Sequence, residues 1–259
     1  MRVGDITAAL EAFAPLRIQE DWDNSGLCIG SPEDEVCGVL IGFDCTAELL
    51  DEAVEKGCDM VITHHPLLFK GIRQIRPGDP VSDAVIRAVR AGISVYAAHT
   101  TADKVIEGVS GAMARRLGLT DIAILEDEGG YGLGAVGNLP CPMTGSEALA
   151  YVKEKFGLEV VRSSRPLETP FRRVALCGGS GGSEIPAAIR SGADLYISAD
   201  ISYHHFFTPK GFMVMDIGHF ESEVEIVEIL CKVIREKFPT FAVRISDTLG
   251  RSNPVRYYY

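Results

Sequence analysis

Apolar runs recur along this chain, separated by segments in which apolar residues fall three and four positions apart. Val36 to Phe43 reads as a buried strand, Thr46 to Lys56 as an amphipathic helix closed by Gly57, and Cys58 to Thr63 as a second strand. Ser82 to Ala91 repeats the helical spacing and stops at Gly92, and Ile93 to Ala98 is a third strand. Ile6 to Phe13 also has helical spacing, with Asp5 as its expected N-cap. Alternating strand and helix predicts an α/β fold with parallel strands.

The same pattern returns downstream. Arg173 to Gly178 is strand-like and Glu184 to Arg190 is a short helix. Gly192-Ala-Asp-Leu-Tyr-Ile-Ser198 mirrors Gly57-Cys-Asp-Met-Val-Ile-Thr63, and Gly211 to His219 mirrors Gly92 to His99. Either a βαβαβ unit is duplicated, or α/β segments merely look alike; we take the duplication as the expectation. Between the copies, Val136 to Leu139 reads as a strand and Thr144 to Phe156 as a helix. A tail helix is expected over Ser222 to Phe238 and a last strand over Phe241 to Ile245. The Gly-rich, acidic stretch Glu126 to Gly134 marks an expected boundary. The predicted architecture is two similar α/β sandwich halves with largely parallel sheets and a metal site in the cleft between them. The first domain would comprise residues 1–125 plus about 213–259, and the second residues 126–212.

The chemistry sits where apolar runs end. His64 and His65 follow Met60-Val-Ile-Thr63, His99 ends another run with Asp103 four residues on, and His219 precedes Glu223 by the same interval. Imidazoles and carboxylates of this kind are the donor set of a site for two divalent ions. In a helix His219 and Glu223 share a face; the alternative is a helix cap with an acid favouring the dipole. Adjacent histidines at a strand end can reach two different ions, or can be one core and one exposed residue. His99 could be a ligand, a partner that orients a ligand, or a proton shuttle. His204 and His205 follow the mirrored strand, as pocket residues or as a surface pair.

Composition narrows the setting. Of 259 residues 46% are hydrophobic, enough for a sizeable core, and the net charge of −11 argues against nucleic acid or an anionic membrane as the main partner. The seven cysteines form no CxxC pair, which suggests reduced thiols in a cytoplasmic protein. No run approaches the roughly 18 apolar residues of a membrane helix. Glu20-Asp-Trp-Asp-Asn-Ser-Gly26 holds the single Trp and reads as a turn or a pocket lining. Gly178-Gly-Ser-Gly-Gly182 could cradle an anion on backbone amides, but it matches no nucleotide fingerprint. The terminal Arg256-Tyr-Tyr-Tyr259 is expected at a subunit contact or near the pocket.

Four motifs together, Trp22-Asp-Asn-Ser-Gly-Leu27, Thr63-His-His-Pro-Leu-Leu-Phe-Lys-Gly71, Ala98-His-Thr-Thr-Ala-Asp103 and Gly218-His-Phe-Glu-Ser-Glu223, resemble the NIF-three-like dinuclear-metal proteins, also called GTP cyclohydrolase 1 type 2 homologues. The resemblance covers essentially the whole chain. It implies His64, His65, Asp103, His219 and Glu223 as metal ligands for two divalent ions per subunit, and a ring-shaped homohexamer. The third motif departs from the common His-Thr-Asn-Leu-Asp, and Ser198-Ala-Asp200 stands where many members have Thr-Gly-Asp; the ligand side chains survive both changes. Nitrogen and carboxylate donors suit zinc, iron or manganese. The expected function is a metal-dependent hydrolase of a small, nucleotide-type substrate, with His99, His204 and Glu221, in that order, as groups that move protons. The rival reading is a non-catalytic metal-binding or regulatory hexameric assembly.

Overall fold

The structure is a computed structural model and describes residues 1–258; Tyr259, the last of the terminal tyrosines, lies outside the described residues. The elements run α1 (Val3–Phe13), β1 (Gly26–Ile29), β2 (Gly38–Ile41), α2 (Ala47–Glu55), β3 (Met60–Thr63), α3 (Pro80–Ala91), β4 (Ser94–Ala97) and α4 (Thr100–Asp103). They continue with α5 (Val109–Arg116), β5 (Thr120–Ile124), β6 (Ala135–Met143), α6 (Gly145–Phe156), β7 (Arg162–Ser163) and β8 (Phe171–Ser180). The last are α7 (Ile185–Arg190), β9 (Leu195–Ala199), β10 (Met213–Asp216), α8 (His219–Glu223), α9 (Ile226–Lys237) and β11 (Ala242–Ile245). Among the described residues no helix is long and apolar enough to cross a membrane.

Two α/β units result. One comprises Met1–Ala102 and Ile226–Arg256, the other Asp103–Glu225 with Tyr257 and Tyr258. The first unit's sheet has the order β1-β4-β3-β2-β11, and β11, β2, β3 and β4 are mutually parallel. The second unit's sheet has the order β5-β6-β8-β9-β10-β7, with β8, β9 and β10 parallel and antiparallel strands outside them. The parallel trio β2-β3-β4 thus has its counterpart in β8-β9-β10. The second crossover is not repeated: α3 joins β3 to β4, whereas a single 3-10 turn, Tyr203–Phe206, lies between β9 and β10.

Parallel strands covered on both faces lose the polar alternation of an exposed strand and read as continuous apolar runs. Every residue of β2, β3, β4, β9 and β10 is buried. The two-residue period then divides side chains between faces. In the second unit Val174, Leu176, Leu195, Ile197, Met213 and Met215 join Met113 of α5, Leu117 just past its end, and Val152 and Phe156 of α6. Ala175, Cys177, Tyr196 and Val214 point the other way, onto Ala188 of α7. In the first unit Leu40, Val61 and Val95 pack on Leu49, Leu50 and Ala53 of α2 and on Ala84, Val85 and Ala88 of α3. Helix α9 lies against β2 and β11, and α1 against α9. Each large side chain so buried contributes about 1.5–3 kcal/mol.

Three expectations change. Helix α1 begins at Val3, and Asp5 serves it from inside the first turn, its carboxylate accepting from the Arg2 amide at 2.9 Å. The tail helix breaks at 224–225 into α8 and α9, and the units part at the same place. The unit boundaries fall at 102/103 and 225/226 rather than at 125/126 and 212/213. The Gly-rich stretch is not a linker but the tip of the β5–β6 hairpin: Leu125 and Glu126 amides donate to Gly134 and Leu133, and Asp127 Oδ1 accepts from the amides of Gly129 and Gly130. Strand β10 belongs to the second sheet because it pairs with β9 and β7.

A buried carboxylate ties the C-terminal part of the first unit to α2. Glu52 accepts from Ser246 Oγ at 2.5 Å, from the Asp247 amide at 2.8 Å and from Lys56 Nζ at 2.9 Å. Burial alone would raise its pKa; the bonds from Ser246, Asp247 and Lys56 outweigh it and hold the group below its ordinary value. A depressed folded-state pKa gives stability that is present above the unfolded carboxylate value of about 4.3 and is lost as pH falls through the folded value. Glu52→Gln is therefore expected to destabilise the unit by about 1–3 kcal/mol at pH 7, with the gap to wild type closing toward pH 3. Melting curves at both pH values check this; a gap independent of pH would refute the charged role.

Candidate metal centre

In the first unit the candidate residues stand at the carboxyl ends of β2, β3 and β4, where α/β sheets hold their ligands. Beyond β2 the Phe43 carbonyl accepts both the His64 and the His65 amide, at 3.1 and 3.3 Å, so the two residues after β3 are pinned to one acceptor. Thr63 Oγ1 donates to the His65 carbonyl at 2.8 Å. The Phe43 ring stacks on His64, with centroids 5.8 Å apart and planes at 23°, and meets His65 edge-on at 4.8 Å. His99, two residues past β4, completes a triangle of imidazoles with centroid separations of 4.9, 5.4 and 5.4 Å. One ring nitrogen from each of the three lies within 4.8 Å of the others.

Each ring is oriented from behind. His64 Nδ1 lies 2.8 Å from the Ala98 carbonyl, His65 Nδ1 2.7 Å from Asp44 Oδ1, and His99 Nδ1 2.7 Å from Asp23 Oδ1. A carbonyl or an ionised carboxylate only accepts, so Nδ1 carries the hydrogen in each ring, and in the neutral imidazole the lone pair is on Nε2. Asp23 is itself held. It accepts from Thr100 Oγ1 at 2.5 Å, Ser25 Oγ at 2.7 Å and the Asn24 and Thr100 amides at 2.7 and 3.1 Å. Burial would raise its pKa, but the bonds from His99, Thr100 and Ser25 prevail and keep it well below the usual carboxylate range. A cavity of about 500 Å³ opens beside His65, lined among others by Asp44, Cys45, Thr46, Pro66 and Leu67.

In the second unit the corresponding strand ends are those of β9 and β10. Gly218, at φ +92°, turns the chain after β10, and α8 starts on His219. One helical turn then brings His219 Nε2 to 2.9 Å from Glu223 Oε2. His219 Nδ1 lies 2.8 Å from Asp200 Oδ2, the same rear support seen in the first unit. Asp200 follows β9 at φ +50°, a left-handed conformation that a short polar side chain tolerates. Ser222 fastens α8 to β8, donating to the His219 carbonyl at 2.7 Å and accepting from the Gly179 amide at 3.0 Å. Asp103 and Glu223 both bear on the buried Cys177: burial first, then the carboxylates of Asp103, Glu184 and Glu223, push its thiol far up. In the first unit burial, then Cys28 and Asp44, pushes Cys45 up to about 12. Both thiols stay protonated at neutral pH in the absence of metal, and the groupings of possible ligand atoms among the described residues hold only imidazole nitrogen and carboxylate oxygen.

The glycine expectation resolves differently. The glycines at 178–182 do not form an anion cradle. The amides of Gly178, Gly179 and Gly181 donate to Ser110, Ser222 and Ser198 hydroxyls at 3.3, 3.0 and 3.1 Å. What requires glycine is clearance: a β-carbon on Gly179 would run into Glu223 Oε1, and one on Gly178 into Val109. His204 sits in the exposed 3-10 turn, its ring against Tyr203 and Phe207. Glu221 is half-buried; the Tyr257 hydroxyl beside it is pushed up by burial, then by the carboxylates of Glu221, Asp216 and Asp200. Sequence reasoning missed the orienting role of Asp44, Asp23 and Asp200. They lie 21, 76 and 19 residues from their histidines, and no local spacing announces the pairing.

The profile of the family described as Duf34/NIF3 (NGG1p interacting factor 3) matches residues 1–254. The chain belongs to the DUF34/NIF3 family. A relative from Clostridium acetobutylicum named GTP cyclohydrolase 1 type 2 homolog is 34% identical, with 98% of this chain and 97% of that protein aligned. One of the same name from Lactococcus lactis is also 34% identical, over 98% of both chains. Among solved structures, a hypothetical protein of Staphylococcus aureus superposes with a TM-score of 0.92 at 27% identity, over 100% of this chain and 99% of that one. The DUF34/NIF3 match spans both units, so every residue of the candidate set falls inside it.

Proposed function

We propose that the protein is a metal-dependent hydrolase of a small, nucleotide-type substrate. His64, His65, Asp103, His219 and Glu223 would hold two divalent ions, drawn from zinc, iron or manganese. The observation that carries this reading is the common support of His64, His65 and His99: an oxygen acceptor on Nδ1 directs the lone pair to Nε2, as in metal-binding histidines, and His219 has the same kind of acceptor on Nδ1 with Glu223 Oε2 at its Nε2. Bound ions of this kind acidify a coordinated water toward neutrality and polarise a substrate oxygen. His99, oriented by Asp23, is the first choice for moving a proton, followed by His204 and Glu221. The cavity beside His65 has the size of a small-molecule site. The relatives named GTP cyclohydrolase 1 type 2 homolog make nucleotides the first substrates to try. Assembly as a homohexamer belongs to the same proposal and is read by light scattering in solution.

The test is turnover of a nucleotide and phosphoester panel by metal-loaded protein, with His219→Ala as control. Activity in wild type that disappears in the variant supports the reading; equal activity in both refutes it. Metal retained with no turnover on any panel member would replace it with a non-catalytic metal-binding role. The supports have a separate signature: Asp44→Asn is expected to weaken metal affinity about 10- to 100-fold without unfolding the protein. Competition with a chelator indicator measures this, and an unchanged affinity would mean that Asp44 does not orient His65.

A further inference from the structure

Trp22 and Phe69 are large rings that the first unit leaves 58% and 45% exposed. They are nonetheless held in place. Their centroids are 5.8 Å apart at 66°, and each stands edge-on to His99 at 5.9 Å. Asn24 Nδ2 donates to the Leu68 carbonyl at 2.7 Å, and the intervening Asp23 grips His99, so the segments carrying the two rings are tied to each other and to that histidine. An exposed aromatic pair fixed beside chemistry-bearing groups is a surface prepared for a planar partner.

The chain beyond Phe69 adds charge. Residues 69–80 are all exposed, and they begin with an apolar residue followed by a cation three times over: Phe69-Lys70, Ile72-Arg73, Ile75-Arg76. Among the described residues, Lys70, Arg73 and Arg76 have no hydrogen-bond or ion-pair partner. In a chain of net charge −11, three unpaired cations in seven residues are a local reversal of sign. Lys70 is next to Phe69, and a chain can reach at most about 3.3–3.6 Å per residue, so Arg73 lies within roughly 14 Å of the ring-bearing backbone.

We propose that the face of Trp22 stacks the planar ring of the substrate, that Phe69, inclined at 66° to Trp22, meets that ring edge-on, and that Lys70, backed by Arg73 and Arg76, takes its anionic group, with His99 beside both rings. The part concerning the reacting substrate rests on the hydrolase reading; ring and anion binding do not. Trp22 is the only tryptophan, so its fluorescence reports on this surface alone. The probes are AMP and GMP for ring plus anion, adenosine and guanosine for the ring, and inorganic phosphate for the anion. Expected is quenching of Trp22 by AMP or GMP, weaker quenching by the nucleosides, and competition without quenching by phosphate. Phe69→Ala should weaken nucleotide binding about 2- to 10-fold. A Lys70→Ala/Arg73→Ala/Arg76→Ala variant should lose most of its advantage for nucleotide over nucleoside and most of its salt dependence. Both variants alter exposed side chains, and melting curves confirm that they fold.

Nucleotide binding that leaves Trp22 emission unchanged, or is indifferent to both variants, overturns the proposal. So does emission already insensitive to acrylamide before any ligand is added, because another copy then covers the ring. Quenching without turnover keeps the binding site and removes the hydrolase reading. Turnover untouched by Phe69→Ala and by the triple variant does the reverse.

Discussion

If His64 is a ligand as proposed, replacing it with asparagine is expected to strip divalent metal from the protein while leaving it folded. His64 is fully buried, stacked on Phe43, and donates through Nδ1 to the Ala98 carbonyl. Alanine at this position would remove the ligand nitrogen and also leave that carbonyl without its donor, a loss of about 1–3 kcal/mol unrelated to metal. The asparagine amide places an N–H close to where Nδ1 was and nothing where Nε2 was. Loss of an orienting partner costs about 10- to 100-fold in metal affinity, and loss of the ligand itself should exceed that range. Elemental analysis of protein purified without added metal gives the answer. Full metal content in His64→Asn would exclude His64 as a ligand.

Gly179→Ala carries the second large effect, because it acts on backbone and site together. The residue sits at φ +62°, where a side chain costs about 1–2 kcal/mol, and its β-carbon would occupy the place of the Glu223 carboxylate. The Glu223 carboxylate must swing out of its place beside His219, or the β8 turn joined to Ser222 through the Gly179 amide must move. The variant is expected to melt several degrees lower and to bind metal at least about 10-fold more weakly. Gly192→Ala is the comparison: it has φ +74° but open space around the added carbon, so it should lose stability and keep metal. Equal metal affinity in wild type and Gly179→Ala would show that Glu223 is no ligand.

Much of this was legible in the chain because of where it is buried. Strands covered on both faces had to be mostly apolar, so β2, β3, β4, β9 and β10 announced themselves, and with them the strand ends that carry His64, His65, His99 and His219. His219 and Glu223 could be paired because a helix has a fixed period. The orienting carboxylates could not. Asp23, Asp44 and Asp200 reach their histidines from neighbouring strand ends, and only the sheet order makes them neighbours. The stretch 126–134 reads as a boundary because glycine and acid mark a hairpin tip as readily as a linker. Helix α5 was missed since Ser110 and Gly111 dilute its apolar face, and Gly111 approaches the Ile106 carbonyl too closely for any side chain. The glycines at 178–182 were visible, but their purpose was not: a sequence displays the absence of a side chain and not what fills the space.

The shared Phe43 carbonyl, with the acceptors behind each ring, bears on what the protein would be without the proposed ions. In a zinc finger the metal assembles its own ligands, and removing it unfolds the chain. Here the imidazoles are posted by backbone and carboxylates that belong to the fold, so little side-chain freedom is left for an ion to quench. Chelation should therefore leave a folded, refillable protein, and loading should raise its melting point only by the mass-action term of ligand binding. On the proposed reading such a molecule would gain, lose and exchange its metal within its lifetime, and its occupancy would become a readout of the surrounding ion supply.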